Sequence, residues 1–372
     1  MHAHTRVIGA LALLVSIALG CADRGDGDAS SSPTTLTPTR TVWLSPLRSS
    51  TAGASKPSDR RLRFAVISDS NDRYGSQAQG IGVESAITTI TQRILPAFVI
   101  HNGDLIAGQS RRLSRRRVEM MWRGYHDAVT IPLANRGIPL FPVPGNHDAS
   151  PNDRLPDRGL YEEQWLEPAH RPRWPLFDPY RYPFSYSFIA ANTLLVVLDA
   201  PTGRLSRGDL AWLRVTLGAS KSFDRVLVFA HVPFAPYLER SYGTLRPARP
   251  ILRILARRHA HLFTGHYEIF FDGHFANLRT TSTGQLSHTC RVPIGGSICQ
   301  GMSFLVVDLD AERAPRLAIT ALRGPRFESR FDPYALPLEL GSYWRSPTLP
   351  HDLRGMLEEP PLGFDLSTLG LD

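Results

Sequence analysis

Lysine is nearly absent from the sequence: Lys56 and Lys221 are the only two, so the formal net charge of +8 is carried almost wholly by arginine. No single block gathers that charge, and without one nucleic acid is a permitted partner but not an indicated one. There is no internal repeat, which excludes an architecture built from copies. Cysteine is scarce, three in 372 residues, so its chemistry is confined to Cys21, Cys290 and Cys299. Beyond the first twenty residues no apolar run is long enough to cross a bilayer, and the body of the chain is expected to be soluble. The whole sequence is 42% apolar and 20% charged with 29 Gly and 30 Pro. Those proportions exclude a disordered or collagen-like chain, and the length allows one large domain or two ordinary ones.

At the N-terminus Arg6 precedes an uninterrupted small-and-apolar run from Val7 to Gly20. That run has the length of a signal-peptide core and is too short for a membrane span. It ends in Ala18-Leu19-Gly20-Cys21, which resembles the lipobox at which a bacterial lipoprotein signal is cut before a lipidated cysteine. Ala18 stands where Leu is usual; the alternative is an ordinary secretory signal with a chance cysteine. The resemblance implies that residues 1–20 are removed and that Cys21 is acylated. The protein is then exported, periplasmic or at the cell surface, and anchored to a membrane. Residues 21–60, rich in Ser, Thr, Pro, Gly and Asp, read as a flexible tether. Cys290 and Cys299 are then a pair in an oxidising compartment, where a disulfide is expected, two buried thiols being the alternative.

Order begins with an apolar run at Leu62–Ile67 suited to a buried strand, and Val83, Ile87, Ile90 and Ile94 then recur at helical spacing until Pro96. Further strands are expected at Ala97–Ile100, Pro139–Phe141, Phe184–Phe188, Leu194–Leu198, Val226–Phe229, His261–Phe263, Phe304–Val307 and Leu317–Ile319. Helices are expected through Val118–Tyr125, around Leu210–Leu217 and near 247–259. Strands alternate with helices early and pair late, which predicts a layered α/β domain over 61–324 with at least partly mixed sheets. Residues 149–183, rich in Pro, Arg and aromatics, read as an insertion over the surface. Residues 325–372 read as a Pro-rich tail packed on the domain.

Five apolar strands run directly into polar clusters: Asp69-Ser70-Asn71, Asn102-Gly103-Asp104, Gly145-Asn146-His147-Asp148, Ala230-His231 and Gly265-His266-Tyr267-Glu268. Ligands of open α/β sheets gather beyond the carboxyl ends of strands, so these carboxylates, amides and imidazoles are expected around one point. With Tyr186-Ser187-Phe188, Leu198-Asp199, Gly208 and Trp212-Leu213, the series resembles the calcineurin-like metallophosphoesterases from about Arg61 to Leu322. That resemblance implies two facing mixed β-sheets with helices outside. It also implies metal-dependent hydrolysis of a phosphomonoester or phosphodiester by a dinuclear centre with a metal-bound hydroxide as nucleophile.

Residue by residue, the resemblance makes Asp104 the bridging carboxylate and Asn146, His231 and His266 the other ligands of one ion. Asp69 matches a ligand of the second ion, but the sequence has Asn71 and Glu268 where the family pattern has histidines. That second ion is either lost, leaving a one-metal or inactive descendant, or held by Asp69, Asp104, Glu268 and Asn71. Crowded carboxylates need a counter-charge, which favours retention; His274 or His288 is an alternative nitrogen donor. Oxygen ligation suits Mn²⁺, Mg²⁺ or iron better than Zn²⁺. The resemblance makes His147 the general acid, with Asp148 or Asp69 as the group that orients it, because Ala107 stands where many relatives carry an acid. Arg111, Arg112 and Arg181 are candidate contacts for a small-molecule or polyanionic phosphoester, the solvated helix face being the plainer reading of the Arg111–Arg117 run. The rival functions are a non-catalytic surface scaffold and an exported nuclease.

Overall fold

Phe64, Val66, Phe98, Ile100, Phe141 and Val143 alternate with Ala65, Ile67, Val99 and Leu140, and all are buried. A sheet with two apolar faces must be covered on both, and this one is. The computed structural model describes residues 61–345 apart from 288, 297–298, 311–315 and 333–334. The expected signal segment, Cys21, the tether, His288 and residues 346–372 lie outside the described residues.

The chain runs through β1 (Arg61–Ile67), α1 (Ile81–Thr89), β2 (Val99–His101), α2 (Arg115–Tyr125), α3 (Ile131–Asn135), β3 (Leu140–Pro142) and α4 (Asp157–Leu166). Next come β4 (Leu176–Arg181), β5 (Ser185–Ala190), β6 (Thr193–Val197), α5 (Arg207–Ala219), β7 (Arg225–Phe229), α6 (Ala248–Ala256) and β8 (His261–Thr264). It ends through β9 (Phe270–Phe275), β10 (Leu278–Thr283), β11 (Ser303–Asp310), β12 (Arg316–Arg323), β13 (Ser329–Arg330), β14 (Glu339–Leu340) and β15 (Tyr343–Arg345). The helical pattern begun in α1 continues in a wider coil to Ile94, where Leu95 turns left-handed just before Pro96. Ser206 caps α5 by accepting the Asp209 N–H at 3.0 Å.

Two mixed sheets result, in the orders β13-β12-β11-β1-β2-β3 and β14-β15-β9-β10-β8-β7-β6-β5-β4. β1 is parallel to β2 and antiparallel to β11; β6, β7 and β8 are parallel, while β5 and β9 are antiparallel to their neighbours. One face of the first sheet meets the second through Phe98, Phe141 and Phe188, the last two stacked with centroids 3.8 Å apart. The other face packs on α1 and α2 through Val83, Ile87, Val118 and Trp122. Burying each large side chain of this kind contributes about 1.5–3 kcal/mol.

Two readings of the sequence need correction. Residues 149–183 are more than a surface insertion: Leu160, Tyr161 and Trp165 of α4 are fully buried against Trp122, and β4 extends the larger sheet. The β9–β10 hairpin is missing from the strands expected, because Asp272, Gly273 and His274 interrupt its apolar pattern. Past Gly324 the tail packs on the domain as far as it is described, pairing β13 with β12 and β15 with β9. Tyr343 anchors β15 by stacking on Tyr237 and donating its hydroxyl to the Ala235 carbonyl at 3.0 Å.

Candidate metal centre

The carboxyl ends of β1, β2, β3, β7 and β8 open into loops tied to one another through their backbones. The Asp69 N–H donates to the Gly103 carbonyl (3.1 Å), the Ser70 N–H to that of Asp104 (3.0 Å), and the Gly265 N–H to that of His231 (2.8 Å). Asp69, Asp104, Gln109, His266 and Glu268 all adopt left-handed backbone, a conformation costing about 1–3 kcal/mol that concentrates at functional sites. Gly103 is required for space as well as for its φ of +93°, since a Cβ there would lie 2.2 Å from His231 Nδ1. A Cβ on Gly145 would lie 2.0 Å from the Asp104 nitrogen.

These turns bring one donor atom each of Asp104, His231 and His266 within 4.8 Å of one another, and no other group of three His, Cys, Asp or Glu converges in this way among the described residues. His231 Nδ1 donates to the Asn102 carbonyl (2.9 Å), so its Nε2 turns inward, 3.2 Å from Asp104 Oδ1 and 3.1 Å from Asn146 Oδ1. His266 Nε2 is 3.2 Å from the Tyr242 carbonyl, which leaves Nδ1 as its free lone pair. An imidazole with one nitrogen tied to a backbone carbonyl is the usual form of a metal-ligating histidine. Asn146 Nδ2 donates to Gln109 Oε1 at 2.9 Å, which directs the amide oxygen toward His231.

Electrostatics agrees. Burial alone would raise the Asp104 carboxyl, but the charges of His231 and His147 and their hydrogen bonds hold it below the usual range. Burial works against charge on His231, yet Asp104, its hydrogen bond and Asp69 push the imidazole up to about 10. Burial and the neighbouring His231 charge bring His266 down to about 4, keeping its lone pair free. A proton on His231 therefore stands where a cation's charge is wanted. Asp104, Asn146, His231 and His266 fit a divalent ion as a mixed oxygen and nitrogen set.

The residues expected around a second ion do not fit one. Glu268 is clamped by Arg291, whose Nη2 and Nε donate to Oε1 and Oε2 at 2.7 and 2.8 Å, and Thr289 Oγ1 donates to Oε2 as well. Both Asp69 oxygens lie 3.1 Å from the His266 N–H, and Oδ2 also accepts from Ser68 at 2.5 Å. Burial pushes the Asp69 carboxyl well up, with the Asp104 and Glu268 charges adding to the rise. Asn71 Oδ1 is buried without a partner. His274 is in β9, opposite Arg279. With Glu268 held by Arg291, the donors that converge are mixed oxygen and nitrogen, a set that Zn²⁺ accepts as well as Mn²⁺ or iron.

His147 lines the cleft at this site, with its ring against Tyr74, Nε2 3.9 Å from Asp104 Oδ2 and its N–H donating to Asp104 Oδ1 at 2.9 Å. Asp148 does not orient it. That side chain is fully buried, and its oxygens accept the Leu105 and Gly145 N–H groups at 2.7 and 2.9 Å, lashing the loop after β2 to the loop after β3. Asp69 is likewise occupied. Asp157, at the start of α4, is pushed up to about 6 by burial, a rise that its hydrogen bond from the Gln109 N–H and the charge of His147 oppose. The cleft, about 390 Å³, is also lined by Gln109, Thr202, Leu238, Tyr242, Glu268 and Arg291. Arg111 and Arg112 are exposed and do not line it. Arg181 is directed into a neighbouring cleft and pairs with Asp199 and Asp209. Trp174, bonded to the Ile189 carbonyl, and Tyr180, stacked on Trp212, pack the insertion. A disulfide joins Cys290 to Cys299. Tyr74, Gln109, Asp157, Tyr242 and Arg291 escaped the reading of the sequence, since none falls directly after a strand in a metal-ligand cluster.

A family model described as calcineurin-like phosphoesterase matches residues 62–267. No curated protein is similar enough to match. Among solved structures, a dimetal phosphatase from Danio rerio is 17% identical, with 70% of this chain and 95% of that chain covered and a TM-score of 0.48. GAP50, the anchor in the inner membrane complex of Plasmodium, is 16% identical over 70% and 84%, with a TM-score of 0.47. A 5′-nucleotidase precursor from Thermus thermophilus is 12% identical over 70% and 54%, with a TM-score of 0.37.

Proposed function

The chain belongs to the calcineurin-like phosphoesterase family, and from that premise we propose that it hydrolyses a phosphoester using a divalent ion held by Asp104, Asn146, His231 and His266. The observation that carries the reading is the convergence of Asp104, His231 and His266 beside His147, with both ligand imidazoles tethered to backbone carbonyls. When bound, such an ion supplies positive charge to phosphoryl oxygens and acidifies water.

The side chains divide the remaining work. Gln109 keeps the Asn146 oxygen facing the ion's place, and the Asn102 and Tyr242 carbonyls fix the two imidazoles. His147 Nδ1 is buried, so Nε2 is the atom that delivers a proton to the departing alkoxide oxygen. Tyr74 against the ring limits where that nitrogen points.

Metal analysis combined with turnover of an aryl phosphomonoester and an aryl phosphodiester in added Mn²⁺ tests the reading. Asp104→Asn is expected to remove bound metal and turnover together. His147→Ala is expected to lower turnover by about 10²–10⁴-fold, the usual contribution of general acid–base catalysis, while leaving metal content unchanged. Metal-loaded protein that hydrolyses neither ester, with Asp104→Asn indistinguishable from the parent, would overturn it.

The same reading has the enzyme exported and held to a membrane through a lipid on Cys21. Arg6, the run from Val7 to Gly20 and the Leu19-Gly20-Cys21 junction support this. So does the Cys290–Cys299 bond, of a kind that persists in oxidising compartments.

A further inference from the structure

The following rests on a phosphoesterase whose ion sits on Asp104, Asn146, His231 and His266, and concerns the opposite half of the site. A second ion there needs free donors. Glu268 has both oxygens on Arg291, and Asp69 has both on the His266 N–H with Ser68 on one of them. Asn71 Oδ1 is a neutral oxygen without a partner. With Glu268 held by Arg291, Asp69 and Asn71 offer one hydrogen-bonded carboxylate and one neutral oxygen, a sparse set for a second divalent ion. A positive charge is already present on that side, because Arg291 lines the same cleft as Asp104, Asn146, His147 and His266.

We propose that Arg291 takes the place of the second ion: the centre binds one divalent ion, and the guanidinium receives a phosphoryl oxygen of the substrate through Nη1. Glu268 grips the guanidinium side-on through Nε and Nη2, fixing its plane as bidentate pairs do. Nη1 keeps its two N–H groups, with no hydrogen-bond partner among the described residues. The loop that carries Arg291 is stapled three times over. Cys290 is bonded to Cys299, the Gln300 N–H donates to the Arg291 carbonyl at 2.9 Å, and the Gln300 side chain bonds both backbone groups of Phe270 at 2.8 and 3.2 Å. A preorganised donor loses little freedom when it meets its ligand.

Glutamate in place of the family's histidine is then explained by the guanidinium it holds, not by an ion it ligates. Guanidinium stays charged at every working pH, so the charge on this side needs no metal supply. It cannot acidify water, so Arg291 contributes to binding and charge alone. One ion plus one fixed guanidinium suits a doubly charged phosphomonoester better than a singly charged diester.

The experiment is metal counting and calorimetry on the full protein, with inorganic phosphate as the probe. One Mn²⁺ per chain is expected at saturation. Arg291→Met is expected to keep that ion and bind inorganic phosphate about 10–100-fold more weakly, the loss expected for a hydrogen bond to a charged group. Arg291→Lys, which keeps the charge without the clamp, should fall between. Two ions per chain, or unweakened phosphate binding by Arg291→Met, ends this proposal while leaving the phosphoesterase reading intact. No ion at all ends both. Should Arg291→Met fail to fold, the ion count on the unaltered protein still decides.

Discussion

Asp148 shows how a residue placed within a catalytic cluster can serve the backbone. Burial first, and the Asp104 charge second, push its carboxyl up to about 8 from an ordinary value of 3.8. The folded, metal-free chain therefore keeps a proton there that the unfolded chain releases between those two values. For an acid whose pKa is raised by folding, stability is present at low pH and is lost as pH rises through that window. Asp148→Asn is expected to cost about 1–3 kcal/mol at pH 5, because one of two buried N–H groups loses its acceptor. It should also flatten the decline in stability between pH 5 and pH 8. Urea unfolding of the chelated protein at the two pH values checks this; an unchanged difference between them would mean that Asp148 is ionised throughout. His231, raised to about 10, adds its own loss of stability above its ordinary 6.5 in parent and variant alike, so the comparison isolates Asp148.

At the scale of elements, short strands end in sharp turns that aim side chains at one place. Left-handed backbone at Asp69, Asp104, His266 and Glu268 stores strain that cross-loop hydrogen bonds offset. At Gly103 the missing Cβ is what lets His231 approach the Asp104 loop. Gly103→Ala is expected to lower Mn²⁺ affinity by about 10–100-fold, as displacement of supporting groups does elsewhere, and to destabilise the fold by about 1–3 kcal/mol. Gly137→Ala is the control: it shares a positive φ, but its Cβ would meet nothing within 4 Å. Calorimetric titration of both variants with Mn²⁺ separates strain from steric displacement, since only Gly103→Ala should weaken the metal.

Across the molecule, Asp69, Asp104 and Asn146 follow strands of one sheet and His231 and His266 follow strands of the other. The ion site therefore spans the two layers, between which Phe98, Phe141 and Phe188 pack on one another. Cys21→Ser is expected to move the protein from the membrane fraction to the soluble fraction and to abolish labelling by radioactive palmitate, while phosphoester turnover per bound ion stays constant. Equal membrane association of the variant would remove the lipid anchor from the account.

The sequence by itself determined a layered α/β fold with mixed sheets and the gathering of polar donors beyond its strands, because apolar runs of strand length are each followed at once by such donors. The two facing sheets and the ligand roles of Asp104, His231 and His266 were legible only through the family resemblance. Buried polar interruptions hid the β9–β10 hairpin, and burial of Tyr161 and Trp165 turned an apparent surface insertion into core. Only the tertiary structure decided which neighbour each side chain meets. Glu268 reads as a ligand until Arg291, 23 positions later, closes on it; Asp148 reads as an orienting acid until two backbone N–H groups claim it. A carboxylate goes to the strongest donors within reach, and reach is set by how distant loops fold together, which spacing along a chain does not encode.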